Sequence, residues 1–433
     1  MKKQLLTLAL FAIISLNAKA QSWSPLGVGV NYHVLAITSS GTSIYAGGYF
    51  TTAGGDSANH IAKWDGNKWF PLGTGTNDIV NALIEFNGEI YVGGDFSFAG
   101  GNTANHIAKW TGTAWANVGT SGMNGSVYAF VIFNNELYAG GLFTTADGAT
   151  VNRVAKYNGT TWTSVGTGMN WNANDMVSAF VVFNNELYAG GNFSGSPGVV
   201  KWNGTAWVTV GTGITGDQTM TVSALAVYNN KLYGGGEFFI GGSSSGSAFI
   251  RLNGSTWNDV GTPEQGPVWA LAVYNNELYI GGNISGIIGS NLINNIEKWN
   301  DVRFDVAGGT DDYILTLYSN ANGLYAGGYF KYADGLSANS IAKWATPLGI
   351  DENILTDGLT IYPNPTSGIF NLKMGKVENV QIKICDMLGN TIYQNNSTWS
   401  TIQIDLSTQP NGIYLVQLKT EQGIINKKLI IQK

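Results

Sequence analysis

Cysteine, histidine and charged residues are all scarce in this 433-residue sequence. The single cysteine, Cys385, excludes an intramolecular disulfide, so packing has to stabilise the fold. The three histidines have no metal-binding spacing, and no stretch has the periodicity of an amphipathic helix. Beyond residue 20, no apolar run approaches the ~18 residues needed to span a bilayer. These absences argue against a disulfide scaffold, a helical fold and a membrane-spanning helix.

Charged residues make up only 12% of the chain, and their balance differs between its two parts. Residues 21–346 hold 12 Lys and Arg against 21 Asp and Glu, whereas residues 347–433 hold seven of each kind. An acidic surface repels nucleic-acid phosphates and anionic lipids. The sequence therefore predicts neither nucleic acid nor a membrane surface as a partner.

The first 20 residues have the pattern of a secretory signal peptide. Lys2 and Lys3 precede an apolar segment over residues 5–16, and Ala18-Lys19-Ala20 forms a small-residue cleavage signal. No cysteine follows the cleavage point, so a bacterial lipoprotein anchor is not expected. We predict an exported protein with a signal peptide at 1–20.

One segment with paired glycines occurs seven times, at intervals of 45 to 50 residues. Its copies are YAGGYF, YVGGDF, YAGGLF, YAGGNF, YGGGEF, YIGGNI and YAGGYF, which begin at Tyr45, Tyr91, Tyr138, Tyr188, Tyr233, Tyr279 and Tyr325. An alternating segment precedes each copy, and IAKW or a variant, a turn and a further aromatic residue follow. Four strands per repeat at this period indicate a β-propeller. We predict seven four-stranded blades over residues 21–346.

The two ends of the repeat array complement each other. Trp23 lies in a fourth strand without three strands before it, whereas the seventh repeat ends at Trp344 without a fourth strand. The N-terminal strand is therefore predicted to complete the last blade and close the ring, which removes an exposed sheet edge. The paired glycines are predicted to allow close packing of blades opposite the tryptophans. The lysine of IAKW is predicted to reach water or a loop carbonyl.

The repeats resemble kelch and galactose-oxidase-like propellers. The stretch AGGDSANHIAKWDGNKW is closer still to the propeller of fungal cortical polarity-marker proteins and of bacterial surface proteins. This resemblance covers residues 22–346 and implies the fold rather than an activity.

Composition changes after Gly349, where the repeat stops and short alternating segments begin. We predict a linker at 347–358 and a small Ig-like β-sandwich at 359–433. The sandwich resembles the type A C-terminal sorting domain of the type IX secretion system. The resemblance rests on Asn364, Pro365, Thr366, Gly368, Gly389, Gly412, Lys427 and Lys428. It implies recognition by that secretion machinery and a secreted or outer-membrane surface location, with the domain usually removed afterwards.

Catalytic patterns are missing from the propeller. A galactose-oxidase-like copper site needs a cysteine, and residues 21–346 contain none. A sialidase needs three converging arginines, whereas Arg153, Arg251 and Arg303 occupy third-strand or fourth-strand positions. The sequence therefore predicts a protein that is not an enzyme, with no cofactor and no metal site, although Ca²⁺ is left open.

Ligand-binding residues are expected on the face where the inter-blade loops gather. The candidates are the polar and aromatic residues of those loops, namely Tyr32, His33, Asp78, Trp171, Asp175, Asp217, Asp311, Asp312 and Tyr313. Aromatic and carboxylate groups suit a glycan, so an adhesive or glycan-binding module is the first hypothesis. A Ca²⁺ site, a cationic partner, a scaffold for other surface proteins and plain solvated turns are the alternatives. A glycan-active enzyme is the least favoured.

Overall fold

Turn-forming residues divide the alternating segments into short antiparallel strands. The computed structural model describes residues 22–169, 172–194, 198–215, 221–240, 247–261, 264–345, 360–373, 380–386, 390–397, 401–420 and 423–433. The chain divides into two compact units, Met1–Pro347 and Leu348–Lys433. The predicted signal peptide and linker lie outside the described residues. No helix in the described part of the chain is long and apolar enough to cross a membrane.

The described part of the first unit contains seven antiparallel sheets, here called blades 1 to 7; five have four strands, and blades 5 and 6 have a short fifth strand besides. Their first strands are Val34–Ser40, Val80–Phe86, Val127–Phe133, Met176–Phe183, Thr221–Tyr228, Val268–Tyr274 and Ile314–Asn320. Their second strands are Ser43–Gly48, Glu89–Gly94, Glu136–Gly141, Glu186–Asn192, Lys231–Ile240, Glu277–Ile288 and Gly323–Gly328. Their third strands are Ile61–Trp64, Ile107–Trp110, Val154–Tyr157, Val199–Trp202, Ser247–Asn253, Asn291–Trp299 and Ile341–Ala345. Their fourth strands are Trp69–Pro71, Trp115–Asn117, Trp162–Ser164, Trp207–Thr209, Thr256–Asp259, Phe304–Val306 and, for blade 7, Ser22–Pro25.

The predicted ring closure is confirmed. Ser22–Pro25 pairs antiparallel with Ile341–Ala345, and Trp23 lies opposite Trp344. The first strand of blade 7 packs against the first strand of blade 1, as consecutive blades do elsewhere in the ring. The N-terminal strand therefore supplies the fourth strand of the last blade.

Short hairpins connect the second and third strands of four blades. They are Thr52–Ala53 with Asp56–Ser57, Phe98–Ala99 with Asn102–Thr103, Thr145–Ala146 with Ala149–Thr150, and Tyr332–Ala333 with Leu336–Ser337. In blades 5 and 6 the second strand is longer and also pairs with a short strand, Ile214–Thr215 or Glu264–Gln265. The loops between the first two strands use left-handed Asn residues, as predicted; Asn134 and Asn135 have φ values of 50° and 62°.

The paired glycines do form the joint between blades, but not opposite the tryptophans. A Cβ on the first glycine would collide with a valine of the next blade's first strand, as between Gly93 and Val127. A Cβ on the second glycine, Gly94, would collide with the carbonyl oxygen of Ile79 in the same blade. The expectation that tryptophans face these glycines was wrong, because the first strand of the next blade, rather than an indole ring, comes closest to the first glycine.

The fourth-strand tryptophans join neighbouring blades in another way. Five of them donate their indole N–H to a main-chain carbonyl at the end of the preceding blade, whereas the buried Nε1 of Trp207 has no partner among the described residues. The donor and acceptor pairs are Trp23 with Ala307 (2.8 Å), Trp69 with Leu26 (2.8 Å), Trp115 with Leu72 (2.7 Å), Trp162 with Val118 (3.2 Å) and Trp257 with Val210 (2.8 Å). Each bond ties one blade to the next.

The repeated third-strand lysines have a different partner from the one predicted. Four of them donate to a glutamate at the start of the second strand of the same blade, rather than to a loop carbonyl. These ion pairs are Lys109–Glu89, Lys156–Glu136, Lys201–Glu186 and Lys298–Glu277. The lysines are therefore part of the scaffold.

The second unit is built from two sheets. Thr360–Tyr362, Ile369–Lys373 and Thr401–Asp405 form one, and Val380–Cys385, Thr391–Ser397, Gly412–Thr420 and Gly423–Ile431 form the other. Their buried side chains, including Phe370, Ile382 and Val416, make one apolar core. This arrangement agrees with the predicted β-sandwich.

Candidate functional site

Two structural positions recur in each blade at the end of the ring where the inter-blade loops gather. One is the loop residue just before the first strand, and the other directly follows the paired glycines. Between blades 7 and 1 these positions hold His33 and Tyr329, and Tyr32 precedes His33. A cavity of about 550 Å³ opens at this joint and is lined by Tyr32, His33, Asp312, Tyr329 and Lys331, together with main chain of residues 28–31. We call it the aromatic cavity.

Aromatic rings surround the imidazole of His33. It stacks on Tyr32, with ring centroids 3.6 Å apart, and on Tyr329. Tyr49 approaches Tyr32 edge-on at 6.2 Å. The three tyrosines keep 51% (Tyr32), 44% (Tyr49) and 42% (Tyr329) of their surface exposed, so ring area remains available to a ligand.

The aromatic surface continues into blade 6. Tyr313 lies 5.9 Å from Tyr329, and Trp269 meets Tyr313 edge-on at 5.5 Å. Both side chains are half-buried. The aromatic residues therefore form a continuous band along one sector of the loop face.

His33 is almost completely enclosed, with 6% of its surface exposed. Its ring nitrogens have no hydrogen-bond partner among the described residues, yet His33 lines the aromatic cavity. Burial lowers the pKa of His33 below its ordinary value of 6.5, and the charge of Asp312 opposes this effect. At neutral pH the uncharged imidazole therefore has one N–H donor and one nitrogen acceptor for a ligand in the cavity.

The predicted carboxylates serve the main chain first. Asp311 accepts the N–H groups of Lys331 and Tyr332 at 2.8 and 2.7 Å. Asn31, Asn77 and Asn124 hold the equivalent segments of blades 1, 2 and 3 in the same way. Asp312 accepts the N–H of Tyr313, and Asp78 makes the matching bond to Ile79 in another blade. These arrangements recur between blades and therefore belong to the scaffold.

Asp175 does not stand on an open rim as predicted. The residue is completely buried, and its carboxylate accepts the N–H and hydroxyl of Ser194 at 2.9 and 2.6 Å and the N–H of Asn172 at 2.6 Å. It takes over the role that Asn77 has in blade 2. Its expected contact with a ligand is corrected, because no surface of the side chain is left for one.

The remaining predicted rim residues do not join the cavity. Asp78 is exposed in the loop leading into blade 2, outside the lining of the aromatic cavity. Trp171 and Asp217 lie outside the described residues. Tyr32, His33 and Asp312 line the cavity, and Tyr313 and Asp311 adjoin it.

A metal site finds no support in the described part of the chain. No group of three or more His, Cys, Asp or Glu side chains there could hold a metal ion. The other two histidines bond to main chain instead, His60 to Gly48 and His106 to Gly94, both at 3.1 Å.

Sequence reasoning missed Tyr49, Tyr329, Lys331 and Trp269. A signal for the first two was present. The first and seventh repeats both read YAGGYF, whereas the copies between them have Asp, Leu, Asn, Glu or Asn in place of the second tyrosine. Ring closure makes those two repeats neighbours, so the tyrosine that they share indicates one site on the loop face.

The predicted sorting-motif residues tie the two ends of the second unit together. Asn364 donates to the carbonyl of Lys428 at 2.7 Å and accepts the N–H of Ile430 at 2.9 Å. Thr366 donates to the carbonyl of Ile369, and its main chain bonds to Ile430 and Gln432. A Cβ on Gly368 would meet Ser407 at 2.5 Å.

The other motif residues lie in the loops and strands of the same unit. Pro365 lies between Asn364 and Thr366, Gly412 begins a strand, and Lys427 and Lys428 lie in the last strand, where Lys428 is exposed. Gly389 falls outside the described residues. The motif therefore combines structural residues with an exposed base.

Comparison with known families gives both units a match. Residues 67–228 match the model described as the Rax2 C-terminal beta propeller domain, and residues 360–432 match the secretion system C-terminal sorting domain. The chain carries a Rax2-like propeller and a type IX sorting domain. The sorting domain directs secretion across the outer membrane to the surface or exterior, and it implies interaction with the secretion machinery.

Individual relatives of the Rax2-like chain match over limited lengths. An endo-acting ulvan lyase from Formosa agariphila is 38% identical over 88 residues, 20% of this chain and 17% of the lyase. PorZ, a surface component of the type-IX secretion system of Porphyromonas gingivalis, aligns over 93% of this chain and 66% of its own, with 12% identity and a TM-score of 0.38. The extracellular domain of a putative hybrid two component system from B. thetaiotaomicron aligns over 94% and 59%, with 12% identity and a TM-score of 0.49. The chain spans less than two thirds of each, and none of them assigns it an activity.

Proposed function

We propose that the secreted Rax2-like propeller is a surface binding module that holds a glycan in the aromatic cavity. The observation that carries this proposal is the pair of half-exposed tyrosines, Tyr32 and Tyr329, in the wall of the cavity, with the exposed ring of Tyr49 edge-on to Tyr32. Aromatic faces stack on the apolar faces of sugar rings, and nearby polar groups pair with hydroxyls. His33 and Asp312 supply such groups at the cavity wall.

Repetition within the ring separates this site from the scaffold. Structural demands are similar at every joint, so residues required for packing recur from blade to blade. Tyr329 and His33 instead replace Asp95 and Ser126 of the corresponding positions between blades 2 and 3. The departure from the repeat supports a role other than stability.

Binding is favoured over catalysis because of the carboxylates. Glycoside hydrolysis generally uses a pair of them, whereas Asp312 is the one carboxylate lining the cavity within the described residues. The similarity to the ulvan lyase covers only 88 residues, which is shorter than two blades. We therefore propose that the bound glycan is not cleaved.

A glycan array with the purified full chain tests the proposal, followed by affinity measurements on the best ligand. Tyr329→Ala and Tyr32→Ala are expected to weaken binding at least about tenfold, since each removes a stacking surface. Phe98→Ala is the matched control, because Phe98 is 45% exposed and lies outside the cavity. Its binding should be unchanged.

Two results would contradict the proposal. One is an array without signal, and the other is binding that is indifferent to both tyrosine substitutions. Incubation with the bound glycan and an assay for new reducing ends separates binding from cleavage. New ends would show an enzyme.

A further inference from the structure

The aromatic cavity contains one cationic side chain, Lys331, at a position where other blades carry a hydroxyl. The equivalent residues are Thr51, Ser97, Thr144 and Ser194. In three of those blades the hydroxyl bonds to the loop asparagine, and in blade 4 it bonds to Asp175. The main-chain N–H of Lys331 still donates to Asp311, but its side-chain amine makes no equivalent bond within the described residues.

Lys331 also differs from most of the other cations of the propeller. Seven Lys and Arg side chains there form ion pairs with carboxylates. Lys331 is exposed and has no ion pair or side-chain hydrogen bond within the described residues. An unpaired amine in an otherwise acidic propeller is a ready partner for an anion.

His33 provides an independent second observation. Only 6% of its surface is exposed, and it lines the same cavity. Its side chain has no hydrogen-bond partner among the described residues. Its ring nitrogens are not among the fully buried polar atoms that lack a partner in the described residues, so water or a ligand in the cavity can reach them. Both Lys331 and His33 can donate to an anionic oxygen.

Two carboxylates near the cavity, Asp311 and Asp312, would repel an anion. Asp311 and Asp312 repeat arrangements found in other blades, where the equivalent residues are Asn77 and Asp78. They accept main-chain N–H groups, which offset part of their negative charge. Asp311 is a carboxylate at a position where blades 1 to 3 have a neutral asparagine, whereas the other residues that are specific to this joint are aromatic, basic or imidazole.

We infer that the aromatic cavity recognises an acidic sugar unit, with the tyrosines stacking on its ring and Lys331 and His33 binding its anionic group. This inference rests on the proposed glycan binding and narrows its ligand class. The anionic group is a carboxylate of a uronic acid or a sulfate ester. Both present oxygens that accept charge-assisted hydrogen bonds.

Titration calorimetry on the full chain tests the inference with three probes of similar length. They are an oligogalacturonate, a sulfated galactan oligosaccharide and its desulfated neutral form. At low salt, at least one acidic probe should bind about tenfold or more tightly than the neutral one, and 0.5 M salt should remove most of that difference. The acidic probe that binds identifies the anion.

Substitutions assign the effect to the cavity. Lys331→Gln should bring the affinity for the acidic probe close to the affinity for the neutral probe. Lys63→Gln is the matched control, since Lys63 also lacks an ion pair in the described part of the propeller but lies in a third strand outside the cavity. Unchanged melting temperatures for both variants would show that folding is intact.

The outcomes distinguish a failure of this inference from a failure of the proposed glycan binding. Equal affinity for acidic and neutral probes, or an acidic preference that survives Lys331→Gln, overturns the inference while glycan binding stands. If no oligosaccharide binds on the calorimeter or the array, the proposed function fails and the inference falls with it.

Discussion

The joint between blades 7 and 1 and the joint between blades 2 and 3 share one frame but differ at their rims. In both, a glycine faces a valine of the next blade, Gly327 with Val34 and Gly93 with Val127. Each joint also has a tryptophan bonded across it and a loop asparagine holding a hairpin.

The cavities at these two joints are lined differently. The cavity at the joint between blades 2 and 3 is about 270 Å³, and its lining residues, such as Thr103, Asn105 and Ser121, include no aromatic side chain. The cavity at the joint between blades 7 and 1 is about twice that size and has tyrosines and His33 in its walls. The contacts that both joints share are needed to hold the ring together. The residues that differ between the two cavities are available to bind a ligand.

The largest expected effect concerns the strand that closes the ring. Trp23→Ala and Trp162→Ala each remove a buried indole whose N–H bonds to the preceding blade. Each should lower the free energy of unfolding by about 3–5 kcal/mol, measured by urea denaturation. A Trp23→Ala protein as stable as the parent would show that this indole contributes little to holding the closing strand in place.

A smaller effect is expected at the glycines. Gly327→Ala and Gly93→Ala should each cost about 1–3 kcal/mol by overpacking against a valine. Adding Val34→Ala or Val127→Ala should recover part of that loss, so the double mutant should be more stable than the sum of its single effects predicts.

Gly328→Ala is the control for this cycle, because its new Cβ would meet the carbonyl oxygen of Tyr313. No side-chain truncation can relieve a clash with main chain. If the valine substitutions rescue neither glycine variant, the close approach of the second strand to the next blade's first strand is not the reason for the paired glycines.

The smallest effect is a pH dependence specific to the joint between blades 7 and 1. Burial lowers the pKa of His33 in the folded protein, so below its ordinary value of 6.5 the unfolded chain binds more protons than the folded one. Its contribution to stability is therefore present above that pH and is lost as pH falls. Asp312, which faces the ring, reduces the effect without reversing its direction.

His33→Phe keeps a ring between Tyr32 and Tyr329 but removes the titrating group. Unfolding free energies measured between about pH 7 and pH 5 should fall less steeply in this variant. Equal slopes for the parent and the variant would contradict the assignment. Ser126, whose hydroxyl does not titrate in this range, occupies the same position between blades 2 and 3.

The fold could be predicted because the repeat is regular. The lone strand at its start and the three strands at its end together make one complete blade. Trp23 and Trp344 were each incomplete in sequence, and their pairing followed from the count of strands. The partner of the paired glycines could not be predicted in the same way. Sequence spacing assigns a residue to a strand, but it does not say which side chain of the neighbouring blade comes nearest.

The site was predicted only in part, for a related reason. Tyr32, His33 and Asp312 were found because they lie in inter-blade loops, and they do line one cavity. Asp175 was misassigned because the same loop position is an exposed rim in one blade and a buried main-chain anchor in another. Lys331 was missed because a lone lysine in a hairpin has no pattern until the cavity around it is known.

The closing strand has a further consequence for when the protein becomes able to bind. The hydrogen bond from the main chain of Trp23 to Asp334 spans 311 residues, and the aromatic cavity likewise takes its walls from both ends of the propeller. Contacts this distant in sequence are costly to form and come late. A chain that lacks blade 7 has no cavity, however well its other blades fold, so ligand binding reports that the ring has been completed.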